Sequence, residues 1–155
     1  MSHSPPPRSA LADCCAAFAS TQPPPLPPTR FWHPAADRIL AATRPQLVPL
    51  LVALGLVASY VGQALPTPLG MLPLGAFFLL AGGWCSLNFV RCREAHCVVN
   101  GLGWDALGIA ALAAFALGVD WRDPLWVAFF AVLAGSVVFE FSWVALRGST
   151  AVRRG

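Results

Sequence analysis

From residue 46 onward the chain alternates between long apolar stretches and short polar breaks. Four stretches are present, each close to the roughly 20 residues that a helix needs to cross a bilayer. They run over about 47–65, 69–90, 102–119 and 125–146. The pattern predicts an all-α fold, a four-helix transmembrane bundle over residues 46–147.

The first 45 residues have a different character. Proline runs at 5–7 and 23–28 exclude a helix interior or a sheet ladder, so residues 1–45 are predicted to be a disordered Pro-rich cytosolic tail. Residues 31–40, where an aromatic pair precedes a proline, fit a short interfacial helix or an unstructured linker. Residues 148–155 form a short basic cytosolic tail.

Composition supports a membrane protein. The chain is 57% hydrophobic and only 11% charged, whereas a soluble domain carries about a quarter charged residues. The partner that this composition demands is a lipid bilayer. Arginine supplies all the basic residues, a bias typical of GC-rich bacterial genomes. A net charge of +3, scattered along the chain, excludes a basic stripe for nucleic acid.

The arginines also predict an orientation. With four spans, both termini and the loop near residue 92 share one side of the membrane, and the loops near Pro66 and Asp120 share the other. Arg122 is the one arginine on the second side, and the other nine lie on the first. Because positive charge favours the cytoplasmic face, we expect both termini in the cytoplasm and the bundle in the cytoplasmic (inner) membrane.

The third stretch carries a small residue at every fourth position, Ala106, Ala110, Ala114 and Gly118. Such a ladder lets another helix approach closely, which favours association in lipid. It predicts that the third helix is the central packing element. The partner helix belongs either to the bundle itself, where Gly82 of the second stretch is one candidate, or to a second copy or another membrane subunit.

The residues that bear chemistry concentrate between the second and third stretches. If the second helix continues past residue 92, Cys85, Asn88, Cys92 and His96 share one of its faces. Cys92 and His96 would then lie about 6 Å apart and bind one metal ion, with Cys97 joining where the helix frays. Thiolate and imidazole together favour soft or borderline ions such as Hg, Cu or Zn. Cys85, two turns deeper, would be a second station for the ion.

Arg91 and Arg93 flank this group. They either lower the pKa of the cysteines, which favours the thiolate, or bind lipid phosphates. Two vicinal cysteines, Cys14 and Cys15, lie in the tail and either capture a soft ion or have no role.

Two acids belong to the same leaflet. Asp105 lies near the start of the third stretch, where a carboxylate stabilises the N-terminal end of a helix. Glu140 lies inside the fourth stretch, and an acid within a span points to function. It would line the route to the metal, or pair with an arginine to hold the bundle together.

The segment from Asn88 to Gly101 resembles a segment of small prokaryotic membrane proteins. Those proteins carry Asn, Arg-Cys, His-Cys and then Thr-Gly at similar spacing between two apolar helices, and Asn100 replaces the threonine here. The resemblance implies that the motif acts as a unit, but it implies no activity. The four-span size and the membrane-edge cysteines are also loosely similar to bacterial mercuric-ion transporters, which place a cysteine pair in the first span. The first span here has no cysteine.

Together these features predict a small integral membrane protein that handles a soft metal ion, by binding or transport. The site would consist of Cys92, His96 and Cys97, with Cys85 and Glu140 along the route. Two alternatives stay open, a non-catalytic accessory subunit of a larger membrane complex and a membrane thiol oxidoreductase. The chain has no Walker loop, no Gly-x-Gly-x-x-Gly, no Cys-x-x-Cys and no Ser/His/Asp arrangement, so an enzyme is the less favoured class.

Overall fold

The structure, a computed structural model, describes residues 46–147, with the side chains of Arg91 and Cys92 excepted. Four α-helices fill this range: α1 (Leu47–Ala64), α2 (Met71–Cys92), α3 (Ala95–Leu117) and α4 (Arg122–Arg147). All four are long and apolar enough to cross a membrane. The predicted all-α, four-helix fold is therefore confirmed. The proposed tail with Cys14 and Cys15, the interfacial helix over 31–40 and the basic segment 148–155 lie outside the described residues.

Two helix boundaries differ from the sequence prediction. Helix α2 ends at Cys92, so it does not carry Cys92 and His96 on one continuous face. Helix α3 begins at Ala95, about two turns before the expected start near Leu102. The reason is tertiary. Polar residues in the first turns of α3, among them Asn100, are buried against protein and do not face lipid. The helix can therefore include them, although they are not apolar.

Helices α2 and α3 pack closely because glycines lie where the two backbones meet. A Cβ atom on Gly82 would lie 2.3 Å from Asp105 Oδ1 and 2.6 Å from the Asp105 backbone nitrogen. A Cβ atom on Gly108 would lie 2.5 Å from Leu79 Cγ. Gly101 meets Ser86 in the same way. Small residues drive helix association in lipid by allowing this approach.

Ala110 and Ala114 of the predicted ladder pack in the core, whereas Ala106 and Gly118 do not, and α3 packs against both neighbours. Ala106 and Gly118 are exposed and only Ala114 is fully buried. Gly101 and Gly108 supply the contact with α2 instead, whereas Gly103 meets Val132 of α4. Alanine is frequent along the whole helix, so a four-residue alanine period could not identify the packing face.

Aromatic rings fill the centre of the bundle. Trp104 of α3 stacks on Phe129 of α4 with ring centroids 4.9 Å apart. Phe78 of α2 is fully buried and lies 5.6 Å from both Phe129 and Trp126, measured between ring centroids. These contacts connect three helices through dispersion forces, which act equally well in lipid.

Arg122 joins the two loops at the end of the bundle opposite the α2–α3 turn. Its Nη1 atom donates to the backbone oxygen of Gly62 at 2.9 Å, and its Nη2 atom donates to Thr67 at 3.0 Å. It also forms an ion pair with Asp120. The hydrogen bonds that Arg122 donates to Asp120 hold the pKa of this exposed carboxyl well below its usual range. The α1–α2 and α3–α4 loops therefore lie at the same end, as the four-span pattern requires.

The glycine contact predicts opposite outcomes for two adjacent substitutions. Gly82→Ala should lower the free energy of unfolding by about 1–3 kcal/mol, because its methyl group collides with the α3 backbone. Gly83→Ala is the matched control, since a Cβ atom there meets nothing within 4 Å. It should leave stability unchanged or raise it by up to about 1 kcal/mol through helix propensity. Thermal unfolding of both variants in detergent measures the difference, and equal stability would contradict the packing described.

Candidate metal centre

The chain reverses direction at Arg93, between α2 and α3. Arg93 has the left-handed conformation, with φ 57°, and its backbone N–H donates to the carbonyl oxygen of Phe89 at 2.8 Å. Its guanidinium lies 5.2 Å from the centroid of the Phe89 ring, over the ring face. Glu94 then adopts an extended conformation at the N-cap position of α3, where its side chain makes no capping hydrogen bond. This turn places Glu94 beside the first turn of α3.

Three potential metal ligands converge there. Glu94 Oε2 lies 3.5 Å from His96 Nε2, and Cys97 Sγ lies 3.3 Å from the same nitrogen. Cys97 Sγ and Glu94 Oε2 are 4.0 Å apart. Ligands that bind one tetrahedral zinc at bond lengths of about 2.0–2.3 Å are separated by about 3.3–3.8 Å. The three donor atoms therefore already lie near the spacing that one such ion requires.

Helix α2 adds two side chains on the other side of Cys97. Asn88 Nδ2 donates to Cys97 Sγ at 3.1 Å, and the Cys85 thiol is a neighbour of the same sulfur. Asn88, Glu94 and Cys97 are each at least 98% buried. Burying a carboxylate and a thiol next to an imidazole is costly unless these groups satisfy one another or bind a cation.

Helix α4 contributes Glu140. Its Oε2 atom lies 3.1 Å from His96 Nδ1, the ring nitrogen that faces away from Cys97. Both side chains are largely buried, with 18% exposure for His96 and 17% for Glu140. His96 is thus held between one carboxylate from the α2–α3 turn and another from α4.

The structure brings together most of the residues singled out in the sequence. His96, Cys97 and Cys85 lie in one cluster, in contact with Asn88 and Glu140. Cys85 lies beside Cys97 but is not one of the three residues whose donor atoms lie within range of one ion, so its role as a second station stays a prediction.

Other predicted site residues lie elsewhere. Asp105 is ten residues beyond the start of α3, about 15 Å along the helix, so the predicted role at a helix N-terminus is wrong. It accepts a hydrogen bond from Ser86 Oγ at 3.1 Å. The Arg93 guanidinium contacts the Phe89 ring. The side chains of Arg91 and Cys92 lie outside the description, so their predicted roles stay predictions.

Glu94 is a potential ligand that the sequence analysis does not single out. The available signal was an isolated acid two residues before a His-Cys pair. The turn at Arg93 places the side chain of Glu94 close to His96 and Cys97. No glycine marks this turn in the sequence, so the turn could not be predicted.

The left-handed conformation of Arg93 makes the turn testable. Replacing Arg93 with valine should lower the free energy of unfolding by about 1–2 kcal/mol, since a side chain with Cβ branching clashes most at positive φ. Arg93→Gly and Arg93→Asn are the controls, because both residues tolerate that conformation. Thermal unfolding in detergent should place valine well below the two controls. Equal stability of the three variants would mean that α2 does not end in a left-handed residue.

Comparison of the chain with protein-family models, with curated proteins and with solved structures gave no match. The likeness of the segment from Asn88 to Gly101 to small prokaryotic membrane proteins, and the looser likeness to mercuric-ion transporters, stay predictions. The function is therefore argued from the geometry of the site itself.

Proposed function

We propose that this chain is a multi-pass membrane protein that binds one borderline metal ion, Zn²⁺ above all, through Glu94, His96 and Cys97. The observation that carries the proposal is the mutual distance of their donor atoms, 3.3–4.0 Å. The grouping of these three residues meets the geometric requirement for a shared ion. No other cluster of three such side chains is found among the described residues.

The donor set favours zinc over the softer candidates. One carboxylate, one imidazole and one thiolate form a mixed O, N and S set, and each of these groups is a common zinc ligand in proteins. Cu(I) and Hg(II) prefer sites dominated by sulfur. Cys85 beside Cys97 offers a second sulfur, so these ions are the competitors that an experiment must include.

Three protein ligands leave one tetrahedral position for water, an exchanging ligand or the Cys85 thiol. Structural zinc sites are closed by four protein ligands, whereas sites that keep a position open exchange ligands. An open position suits a protein that takes up and releases an ion. Handling of the ion, by reversible binding or transport, is therefore the favoured role.

The arginines support a cytoplasmic placement of the site. Arg93 and Arg147 lie at the end of the bundle that holds the cluster, and Arg122 lies at the other end. The excess of positive charge at the first end favours the cytoplasmic side. Outward apolar residues on α1 and α4, such as Val48, Leu56 and Val138, are the surface that lipid chains would cover.

Elemental analysis of the full-length protein, purified in detergent under reducing conditions, tests the metal site. After equilibration with zinc and removal of excess metal, we expect about one zinc per chain. Glu94→Gln, His96→Ala and Cys97→Ser should each lose most of it, because each removes one of three ligands. Parallel loading with Cu(I) and Hg(II) shows which of the three ions the protein binds best. Among them, zinc binding should fall most strongly in Glu94→Gln.

The controls are substitutions of cysteines that are not among the three proposed ligands. Cys14→Ser/Cys15→Ser should keep its zinc, and Cys92→Ser separately tests the ligand proposed from sequence. Gel filtration shows which variants remain folded. A wild-type chain without zinc, or zinc retained by all three ligand variants, would overturn the proposal. Zinc lost only with Cys14 and Cys15 would move the site to the tail and overturn it equally.

The orientation has its own test. A fluorescent protein fused after Gly155 should fluoresce in bacterial cells, and alkaline phosphatase fused at the same position should be inactive. Phosphatase inserted in the loop at Thr67 should be active, because that loop lies at the opposite end of the bundle. The reverse pattern would place the metal cluster on the outer face.

A further inference from the structure

We propose that Glu140 positions His96 as a metal ligand by holding the proton on Nδ1, which leaves Nε2 free to bind the ion. This inference rests on the proposed metal site and adds a residue from α4 to it. The geometry that points to it is the opposite orientation of the two ring nitrogens. Nδ1 lies 3.1 Å from Glu140 Oε2, which is an ion-pair distance without hydrogen-bond alignment, whereas Nε2 faces Cys97 Sγ and Glu94 Oε2.

A neutral imidazole carries one proton and one lone pair, on different nitrogens. An ionised carboxylate only accepts hydrogen bonds, so Glu140 favours a proton on Nδ1, while an ion held by Glu94 and Cys97 would displace any proton from Nε2. The lone pair then resides on Nε2, the nitrogen that is near the other two donors. Histidine ligands in metal sites commonly have such a carboxylate partner, which fixes the ring and makes it a better ligand.

The position of Glu140 in the fold makes the contact specific. It lies on α4, whereas the three proposed ligands lie in the α2–α3 turn and the first turn of α3. Because Glu140 and His96 are both more than four-fifths buried, little water competes for the Nδ1 proton. The ion would thereby be coupled to the docking of α4 on α3.

A simple structural ion pair between Glu140 and His96 predicts a different result. Loss of such a pair would lower the stability of the metal-free protein. A purely structural pair also makes no prediction about which nitrogen of His96 binds the ion. A positioning role predicts weaker metal binding even where the metal-free protein keeps its stability. It also predicts which ring nitrogen binds the ion. These two readouts distinguish the roles.

The experiment compares full-length wild type with Glu140→Gln and Glu140→Ala in detergent. Zinc affinity, measured by competition with a chelating dye, should fall by roughly 10- to 100-fold. Glutamine should lose less than alanine, because its amide oxygen still accepts a hydrogen bond. Ser142→Ala is the matched control, since that hydroxyl donates only to the Val138 carbonyl of its own helix, and its affinity should equal that of wild type.

Spectra of protein carrying ¹⁵N-labelled histidine provide the direct readout. In the zinc-loaded wild type, His96 should show a metal-bound Nε2 and a protonated Nδ1. The chain has three histidines, so His96→Ala identifies the signal. Glu140→Ala should weaken or shift the Nδ1–H resonance.

The outcomes separate this inference from the metal site itself. Wild-type affinity in both Glu140 variants, with Cys97→Ser still losing zinc, would overturn the role of Glu140 and leave the proposed function standing. Zinc bound to Nδ1 would do the same. Absence of zinc from the wild-type chain would overturn both. Affinity reduced only in proportion to a loss of metal-free stability would identify Glu140 as a structural partner and overturn its positioning role.

Discussion

The close contact between α2 and α3 is the constraint on which the rest of the molecule depends. Lipid provides no hydrophobic drive to bring two apolar helices together, so dispersion forces must do so. Glycines at 82, 101 and 108 allow the backbones to approach until side chains of one helix rest on the backbone of the other. This contact aligns the two helices along most of their length. The turn at Arg93, the buried polar groups and the ring cluster are arranged around it.

The same contact explains how polar side chains persist in so apolar a chain. An ionisable residue in a span is costly when it faces lipid. Asp105 instead covers Gly82 and accepts the Ser86 hydroxyl, and Asn88 lies entirely within the protein. Ser86 and Asp105 thus satisfy each other at the α2–α3 interface, and the outward faces of α1 and α4 stay apolar.

The metal cluster is a product of three separate elements. The α2–α3 turn supplies Glu94, the first turn of α3 supplies His96 and Cys97, and α4 supplies Glu140. Each element orients one part of the imidazole or the thiol, so the site is well ordered only when the helices are docked. A bound ion would compensate the cost of burying these groups and would in turn stabilise the docked bundle. Binding of the proposed ion would therefore be coupled to assembly of this end of the bundle.

The sequence by itself determined the number of helices, their apolar composition and the region where chemistry concentrates. Those properties depend on local composition and on length relative to a bilayer, which can be counted along the chain. It also identified His96, Cys97, Cys85 and Glu140 as candidates, because polar residues are rare between apolar stretches. Only the tertiary structure decided which of them meet. A single left-handed residue, Arg93, ends α2 and folds Cys97 back onto Cys85. A continuous helix would have paired Cys92 with His96 instead. The role of Glu94 and the contact of Glu140 with His96 likewise depend on backbone reversal and helix docking, which no local pattern in the sequence encodes.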